Sequence, residues 1–377
     1  MMWNTVSLSD VCNVSIGKTP PRGDKRYWDK EKRTNNVWLS IADLSSSNDK
    51  YVSNSKEYLS NEGASLFKSV PKNTLIMSFK LSIGKLAFTK CELRTNEAIA
   101  ALSIIDESLI LKEFLYHYLS SLNWDILASH DQKVKGKTLN KKKLNALEII
   151  LPPLAEQERI VAKLDAAFAE IDEAINTAEA KETEVQKLKT SFLNSSLNND
   201  AVTYSTAKLG KICILNYGKG LDKKDRSENA VIPVYGANGI KAYTDKLLHD
   251  KPSIIIGRKG SAGELNKVTK PFWALDVTYY VTTDETIVDI DFLFYALATL
   301  NLPSMARGIK PGINRNDVYN KSIKLPPLAE QQRIVAKLDA ANSEFRNANE
   351  AIAKSKVNYL ALKSAILAQE LQSSEAV

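Results

Sequence analysis

The seventeen residues LPPLAEQERIVAKLDAA beginning at Leu151 return 174 positions later as LPPLAEQQRIVAKLDAA beginning at Leu325, with Gln332 in place of Glu158. Sequence that only fills a core or coats a helix drifts freely, because many residues satisfy the same pattern, so two such copies point to one surface used twice. Each copy opens with a proline pair, Pro152–Pro153 or Pro326–Pro327, which ends a strand-like run and is tolerated only in the first turn of a helix. About 40 residues without Gly or Pro follow. Apolar residues recur there at heptad spacing: Leu164, Phe168, Ile171, Ile175, Ala178, Val185 and Phe192 in the first copy. In the second, Leu338, Phe345, Ile352, Tyr359 and Ile366 form one seam row and the polar Asn342, Asn349, Lys356 and Lys363 the other. A helix of about 43 residues is ~65 Å long and is unstable unless it packs against something of similar length. The other copy is the obvious partner. Antiparallel pairing would put a domain at each end of a pseudo-twofold rod, with the polar seam residues fixing its register.

The duplication extends beyond the quoted letters. An offset of 201 aligns VSLSDVCNVSIGK with AKLGKICILNYGK, and one of 179 sets MSFKLSIGK on IGRKGSAGE. The halves keep their ends and differ in length inside. Val37–Ile41, Thr74–Phe79, Ile99–Ile105, Ser253–Gly257 and Phe272–Thr282 read as strands, and Phe114–Leu127 and Phe292–Leu300 as short helices. The expected fold is therefore α+β: two globular α/β domains, 1–150 and 201–324, alternating with two long helical segments, 151–200 and 325–377, which pair as an antiparallel coiled coil.

Charge is divided along the same lines. Residues 1–150 hold 22 Lys and Arg against 16 Asp and Glu, and 201–324 hold 18 against 12, whereas 151–200 hold 5 against 10 and 325–377 hold 6 of each. Two basic blocks separated by non-basic ones suit a polyanion-binding protein with dedicated structural segments. There is no basic leader with an apolar run and no apolar stretch long enough to span a membrane, so the expected location is the cytoplasm. Cys12, Cys91 and Cys213 show no CxxC pairing and are expected to be buried free thiols.

Candidate DNA contacts follow from residue type. In GKTPPRGDKRYWDKEKR, Lys18, Arg22, Lys25 and Arg26 are interleaved with Tyr27 and Trp28 in a segment too rich in Pro and Gly for regular structure. Lys and Arg bond phosphate oxygens and the guanine edge. In HDQKVKGKTLNKKK, Lys133, Lys135 and Lys137 precede three lysines at the start of a short helix capped by Thr138 or Asn140. The second half offers Arg307, Lys310, Asn314 and Arg315 at the equivalent place, Asn being a good adenine reader and Arg a good guanine reader. Arg258 and Lys259 in GRKGSAGE, with Lys80 and Lys219 beside the matching Gly loops, complete the set. The first half lacks a counterpart of Gly260, so the two turns are expected to differ.

Several chemistries lack their motifs. Each Gly-Lys pair misses the Gly that a Walker A loop needs five residues earlier, and no GxSxG, HExxH or dinucleotide fingerprint occurs. No catalytic constellation or metal site is expected.

Two variable domains alternating with two proline-led helices, each opening LPPLAEQ, resemble the specificity subunits of type I restriction-modification systems over essentially the whole chain. The resemblance includes SDVCNVSIGKTPPRGDKRYWD and VWLSIADL in the first half, and IIIGRKGSAGELNKVTKPFWALDVTYYV and GIKPGINRNDVYNKSIKLPPLAEQ in the second. It implies a non-catalytic subunit whose two target-recognition domains each read half of a split sequence in double-stranded DNA, with the helix pair setting the gap. It further implies two modification subunits docked on the helix starts, at Leu154, Glu156, Gln157 and Arg159 and at Leu328, Glu330, Gln331 and Arg333, and two restriction subunits beyond them. No cofactor would be bound by this chain. S-adenosylmethionine would belong to the modification subunits, and ATP and Mg to the restriction subunits. A stand-alone sequence-specific DNA-binding protein and a nuclease with an unrecognised site are the other readings of the same residues.

Overall fold

The computed structural model describes residues 3–46, 50–127, 132–133, 136–137, 139–198 and 204–372. It divides into two units, Met1–Asn176 with Lys356–Val377, and Thr177–Ser355. Each long helix therefore contributes one part to each unit.

In the first unit an antiparallel ribbon of Asn4–Ser7 and Glu148–Leu151 brings the two ends of the sheet-rich region together. Between them lies a five-stranded sheet in the order Cys12–Ile16, Ile99–Ile104, Leu75–Ser78, Leu86–Thr89, Tyr51–Val52. A second sheet has the order Glu57–Tyr58, Val37–Leu39, Arg94–Thr95, the last pair parallel. The apolar run at Leu75–Ser78 lacks alternation because both faces are covered. Leu75 and Met77 join the core beneath helix Lys112–Ser121, and Ile76 joins a second core on the opposite face.

The second unit is built alike. Its closing ribbon is Ser205–Lys208 with Ser322–Leu325, its main sheet runs Cys213–Tyr217, Thr278–Thr283, Ser253–Gly257, Leu265–Val268, and its smaller sheet runs Gly239–Thr244, Ile232–Gly236, Trp273–Ala274. Ile254 and Ile256 face one core and Ile255 the other. Helix Ile290–Ala298 starts at Asp289, whose carboxylate accepts from the amides of Asp291 and Phe292 at 2.8 and 2.9 Å.

Two expected elements are broken. The strand expected over Phe272–Thr282 divides into Trp273–Ala274 in the smaller sheet and Thr278–Thr283 in the larger, because a turn closed by Thr278 N–H to Leu275 O, 2.9 Å, redirects the chain. The helix expected over Phe114–Leu127 breaks at Leu122, which is extended, and restarts after Asn123, whose Oδ1 accepts from Ile126 N at 3.2 Å. Of the cysteines, Cys12 and Cys213 are buried as expected, and burial pushes both thiols up to about 12; Cys91 is only half-buried.

The long helices are Leu154–Leu197 and Leu328–Gln372, 44 and 45 residues. They run antiparallel. In the first unit, Lys163 near the start of one helix pairs with Glu370 near the end of the other at 2.6 Å, and Asp172 pairs with Lys363 at 2.8 Å. In the second unit, Phe192 meets Phe345 edge-on with ring centroids 6.3 Å apart, and the Lys337 ammonium lies 5.0 Å from the Phe192 ring. The heptad residues Leu164, Ile171, Ala178 and Leu338 are buried, and the polar seam residues Asn342, Asn349, Lys356 and Lys363 are half-buried. Polarity in the seam is accommodated in part by paired lysine: the Lys363 ammonium lies 4.7 Å from the centre of the Phe168 ring and donates to Asp172 at 2.8 Å.

Each helix is fastened to its sheet-rich region by the same two residues of the repeat. Gln157 is completely buried: its Oε1 accepts from Leu111 N at 2.9 Å and its Nε2 donates to Leu109 O and Pro152 O, both at 2.9 Å. Gln331 repeats this with Asp289 N, Ile287 O and Pro326 O at 2.9, 3.0 and 2.8 Å. Two turns further on, Asp165 accepts from His117 at 2.9 Å and pairs with Lys50 at 2.8 Å, while Asp339 accepts from the Tyr295 hydroxyl. Burial keeps the His117 imidazole below its ordinary value, so the ring is neutral and its Nε2 donates.

Replacing Gln331 by leucine strands one buried amide and two buried carbonyls. The predicted loss is about 2–5 kcal/mol, read as a lowered urea midpoint for the second unit. Gln332→Glu, one residue along on the exposed face, should leave the midpoint unmoved.

Candidate DNA interface and docking faces

The expected DNA contacts divide into residues locked into the fold and residues left free. Arg22 is locked. Its guanidinium lies 4.4 Å from the Trp28 ring and 4.6 Å from the Trp38 ring and is ion-paired to Glu57. Arg26 forks onto Asp24, with its closest approach 2.7 Å, and reaches Glu62 at 3.7 Å. That pairing holds the Asp24 carboxyl below its ordinary value. Both arginines were expected to contact DNA from an irregular loop, but this segment is a braced corner that already satisfies their charge. Lys25 lines a cleft of about 400 Å³ with Lys30, Lys56 and Tyr58 beside Arg22.

Lys18 and Lys219 occupy matching places. Each donates its backbone amide across a close approach, to Thr95 O and Ala274 O at 2.8 Å, and each carbonyl accepts from a tryptophan, Trp38 or Trp273, at 3.0 Å. Any side chain at the preceding Gly17 or Gly218 would meet a carbonyl oxygen at 2.1 or 2.0 Å, so both glycines are required by packing.

The turns carrying Lys80 and Lys259 prove to be the same turn. Gly84 N donates to Ser78 O at 2.9 Å and Gly263 N to Gly257 O at 2.8 Å. The position of Gly260, at φ +80°, is taken in the first half by Leu81 at φ +62°. A leucine held left-handed costs on the order of 1 kcal/mol relative to glycine, and this one is exposed beside Lys80. Lys133 and Lys137 lie on the two strands of a small ribbon, Gln132–Lys133 with Gly136–Lys137. Lys135 and Thr138 lie outside the described residues.

In the second half the candidates Arg258, Lys259, Arg307, Lys310 and Arg315 make no ion pair among the described residues, whereas Lys246, Lys251 and Lys267 do. Arg258 and Arg315 flank the half-exposed ring of Tyr217 at 5.3 and 5.1 Å, and Arg315 also lies 5.7 Å from Tyr319. The Nε of each is buried without a partner, and among the described residues neither arginine makes an ion pair. Stacking without neutralisation leaves two oriented guanidinium groups competent to bind an anion or a guanine edge. Asn314 does a different job from the one expected. Its Oδ1 caps helix Arg315–Tyr319 by accepting from Asn316 N at 2.8 Å, as Asn140 caps Lys141–Asn145 through Lys143 N at 2.9 Å. Two-point reading of adenine by Asn314 would need this oxygen to accept a second bond while the amide nitrogen donates.

The docking candidates also divide. Leu154 and Leu328 are half-buried. Glu156 pairs with Arg159 at 2.8 Å and Glu330 with Arg333 at 2.7 Å, and Arg333, helped by the Tyr204 hydroxyl, holds the Glu330 carboxyl down at about 2. Gln157 and Gln331 are corrected: wholly buried, they fasten the helix internally and offer nothing to a partner. Repetition of the buried letters is thus explained by packing. The exposed Lys163 and Lys337 each reach the other helix, but packing leaves unexplained that Ala155, Arg159, Ala162 and Ala166 on one helix match Ala329, Arg333, Ala336 and Ala340 on the other.

Among the described residues no group of three or more His, Cys, Asp or Glu is placed to hold a metal ion, and no helix is long and apolar enough to cross a membrane.

Two matched domains, each joined to a long helix through the same buried glutamine, define a duplicated specificity architecture. The family model for the type I restriction modification DNA specificity domain matches the chain twice, over residues 2–181 and 201–369, and the chain belongs to that family. It is a specificity subunit, the non-catalytic DNA-recognition component of a type I system. It is 24% identical over 358 residues to the EcoprrI specificity subunit of Escherichia coli, covering 88% of this chain and 86% of that one. It is 23% identical over 375 residues to the MjaIX specificity subunit of Methanocaldococcus jannaschii, covering 86% and 83%. Its fold matches a chain solved in work on the assembly and conformational transition of a type I restriction-modification system, with a TM-score of 0.77 at 19% identity over 98% of this chain and 97% of that one. The HsdS subunit of Thermoanaerobacter tengcongensis matches with a TM-score of 0.55 at 18% identity, over 99% and 97%.

Locked and free cations should separate experimentally. Arg22→Met is predicted to lower the thermal midpoint, by roughly 1 kcal/mol in stability, without changing the salt dependence of DNA binding. Arg307→Ala and Lys310→Ala should leave the midpoint unchanged and flatten log K against log salt by about 0.9 for each phosphate no longer neutralised.

Proposed function

We propose that this subunit reads a bipartite DNA target, one half with each recognition domain, and that the paired helices set the length of the unread gap. The observation that carries this reading is a contrast between exposed surfaces. The helix starts present the same exposed Ala and Arg residues twice, while the basic loops of the two domains differ in sequence and in which cations are free. A surface kept identical serves two copies of one partner, and surfaces that diverge serve two different ligands. Two modification subunits dock on the exposed faces that include Arg159 and Arg333, with Glu156 and Glu330 orienting those arginines. The modification subunits supply S-adenosylmethionine chemistry, and two restriction subunits using ATP and Mg complete the complex.

On the DNA side, Arg258, Lys259, Arg307, Lys310 and Arg315 form the contact surface of the second domain. Lys18, Lys25, Lys80, Lys133, Lys135 and Lys137 form that of the first, with Lys219 in the second domain in the place of Lys18. The domains supply the positive surface, and affinity falls steeply with salt in consequence.

Long-read mapping of adenine methylation in cells expressing this chain with its modification subunit should reveal a split motif that vanishes without the chain. Exchanging residues 205–324 for those of a relative should change one half of that motif and leave the other and the gap intact. An unchanged methylome with an intact complex would favour a stand-alone DNA-binding protein, and a change in both halves would defeat the two-reader arrangement.

A further inference from the structure

The second recognition domain carries a side chain that neither charge nor packing explains. Residues 307–312 form a tight hairpin closed in both directions, Arg307 N to Gly312 O at 3.0 Å and Gly312 N to Arg307 O at 3.1 Å. Gly308 turns it at φ +93°, a conformation a side chain would resist. The hairpin is braced from below: Gly260 N donates to Pro311 O at 3.1 Å, Ile313 N donates to Arg258 O at 3.0 Å, and the buried Tyr279 hydroxyl donates to Ile313 O at 3.2 Å. At its tip stands Ile309, at 105% relative exposure the most exposed large apolar residue among those described. A single exposed apolar side chain is ordinary on a protein surface. This one is distinguished by its position: it projects from a braced tip between Arg307 and Lys310, near Lys259, and among the described residues none of these three cations is paired with an acid.

We propose that Ile309 is a base-reading residue that packs against the 5-methyl group of a thymine in the major groove of the half-site read by the second domain. The inference rests on the two-reader function proposed above and names one specificity determinant within it. A two-stranded tip fits the major groove, about 12 Å wide, and not the minor groove, about 6 Å wide. The thymine methyl is the one apolar feature on the base edges exposed there, and an aliphatic side chain is its complement. Arg307 and Lys310 on either side are placed for the flanking phosphates, which would fix the depth of the tip. A β-branched residue also loses little rotamer freedom when the contact forms.

The test uses the full chain in complex with its modification subunit and a duplex carrying the mapped motif. In the half-site that changes when residues 205–324 are exchanged, each thymine is replaced in turn by deoxyuridine, which removes only the methyl group. One replacement is expected to weaken binding about fourfold, the value of a single buried methyl group. Ile309→Ala should weaken binding to the thymine duplex comparably and abolish the difference between thymine and deoxyuridine at that position, while Ile309→Val should keep most of it. The proposal is overturned if no thymine is sensitive, or if the sensitivity survives in Ile309→Ala. Absence of any split motif would instead remove the function on which the proposal stands, and that is read from the methylation map alone.

Discussion

Two helices of 44 and 45 residues persist because each gives the other a place to bury its apolar stripe. All else in the structure hangs on that pairing. Each helix begins where a domain ends, so the antiparallel arrangement makes the start of one helix neighbour the end of the other. Lys163 with Glu370 and Phe192 with Phe345 are the local signatures of that arrangement in the two units. The helices are tied to the domains by buried polar groups rather than by apolar contact alone. Gln157 and Gln331 each satisfy one amide and two carbonyls around the joint between the long helix and the loop leading into a domain helix, which fixes the rotation and height of the long helix against its domain.

The repeat therefore answers to two demands at once. Its buried letters, Gln, Ile and Leu, recur because the same joint is built twice. For its exposed alanines and arginines, docking of two identical partners is the reason proposed. The joint is not copied in every detail. Asp165 is held by a neutral histidine and a lysine, whereas its counterpart Asp339 is held by a tyrosine whose hydroxyl burial pushes up to about 12. Helix Lys112–Ser121 and helix Ile290–Ala298 have diverged, and each has found its own donor for the same aspartate.

The architecture was legible in the sequence because heptad spacing, proline pairs and internal offsets are periodic signals. Gln157 and Gln331 were misread because a polar letter at a helix start looks like surface; only the loops 46 and 42 residues upstream reveal the bonds that bury it. Arg22 misled for a related reason: its clamp is completed by Glu57, 35 residues away, so sequence proximity to other cations suggested a free charge. The turn at Lys80 was expected to differ because it lacks a glycine, yet the bond from Gly84 N to Ser78 O closes the same turn with Leu81 in the left-handed conformation. Ile309 and Tyr217 escaped notice because an apolar letter near a strand end or turn usually marks core. GIKPG carried a faint signal, an apolar residue enclosed by Gly and Pro where a tip would be expected to be polar.

The unpaired cations on the turn and hairpin of the second domain, set against the locked Arg22 and Arg26 of the first, are the basis of the proposal that few side chains carry the reading of DNA. In the function proposed here, the helices determine how far apart two such surfaces act. That claim is tested most directly by removing one heptad from each long helix at facing positions, residues 179–185 and 350–356, and mapping the methylated motif. Seven residues are about 10 Å of helix, so the account predicts a gap shorter by up to about three base pairs, with both half-sites unchanged. An unaltered gap in a complex that still methylates would contradict it.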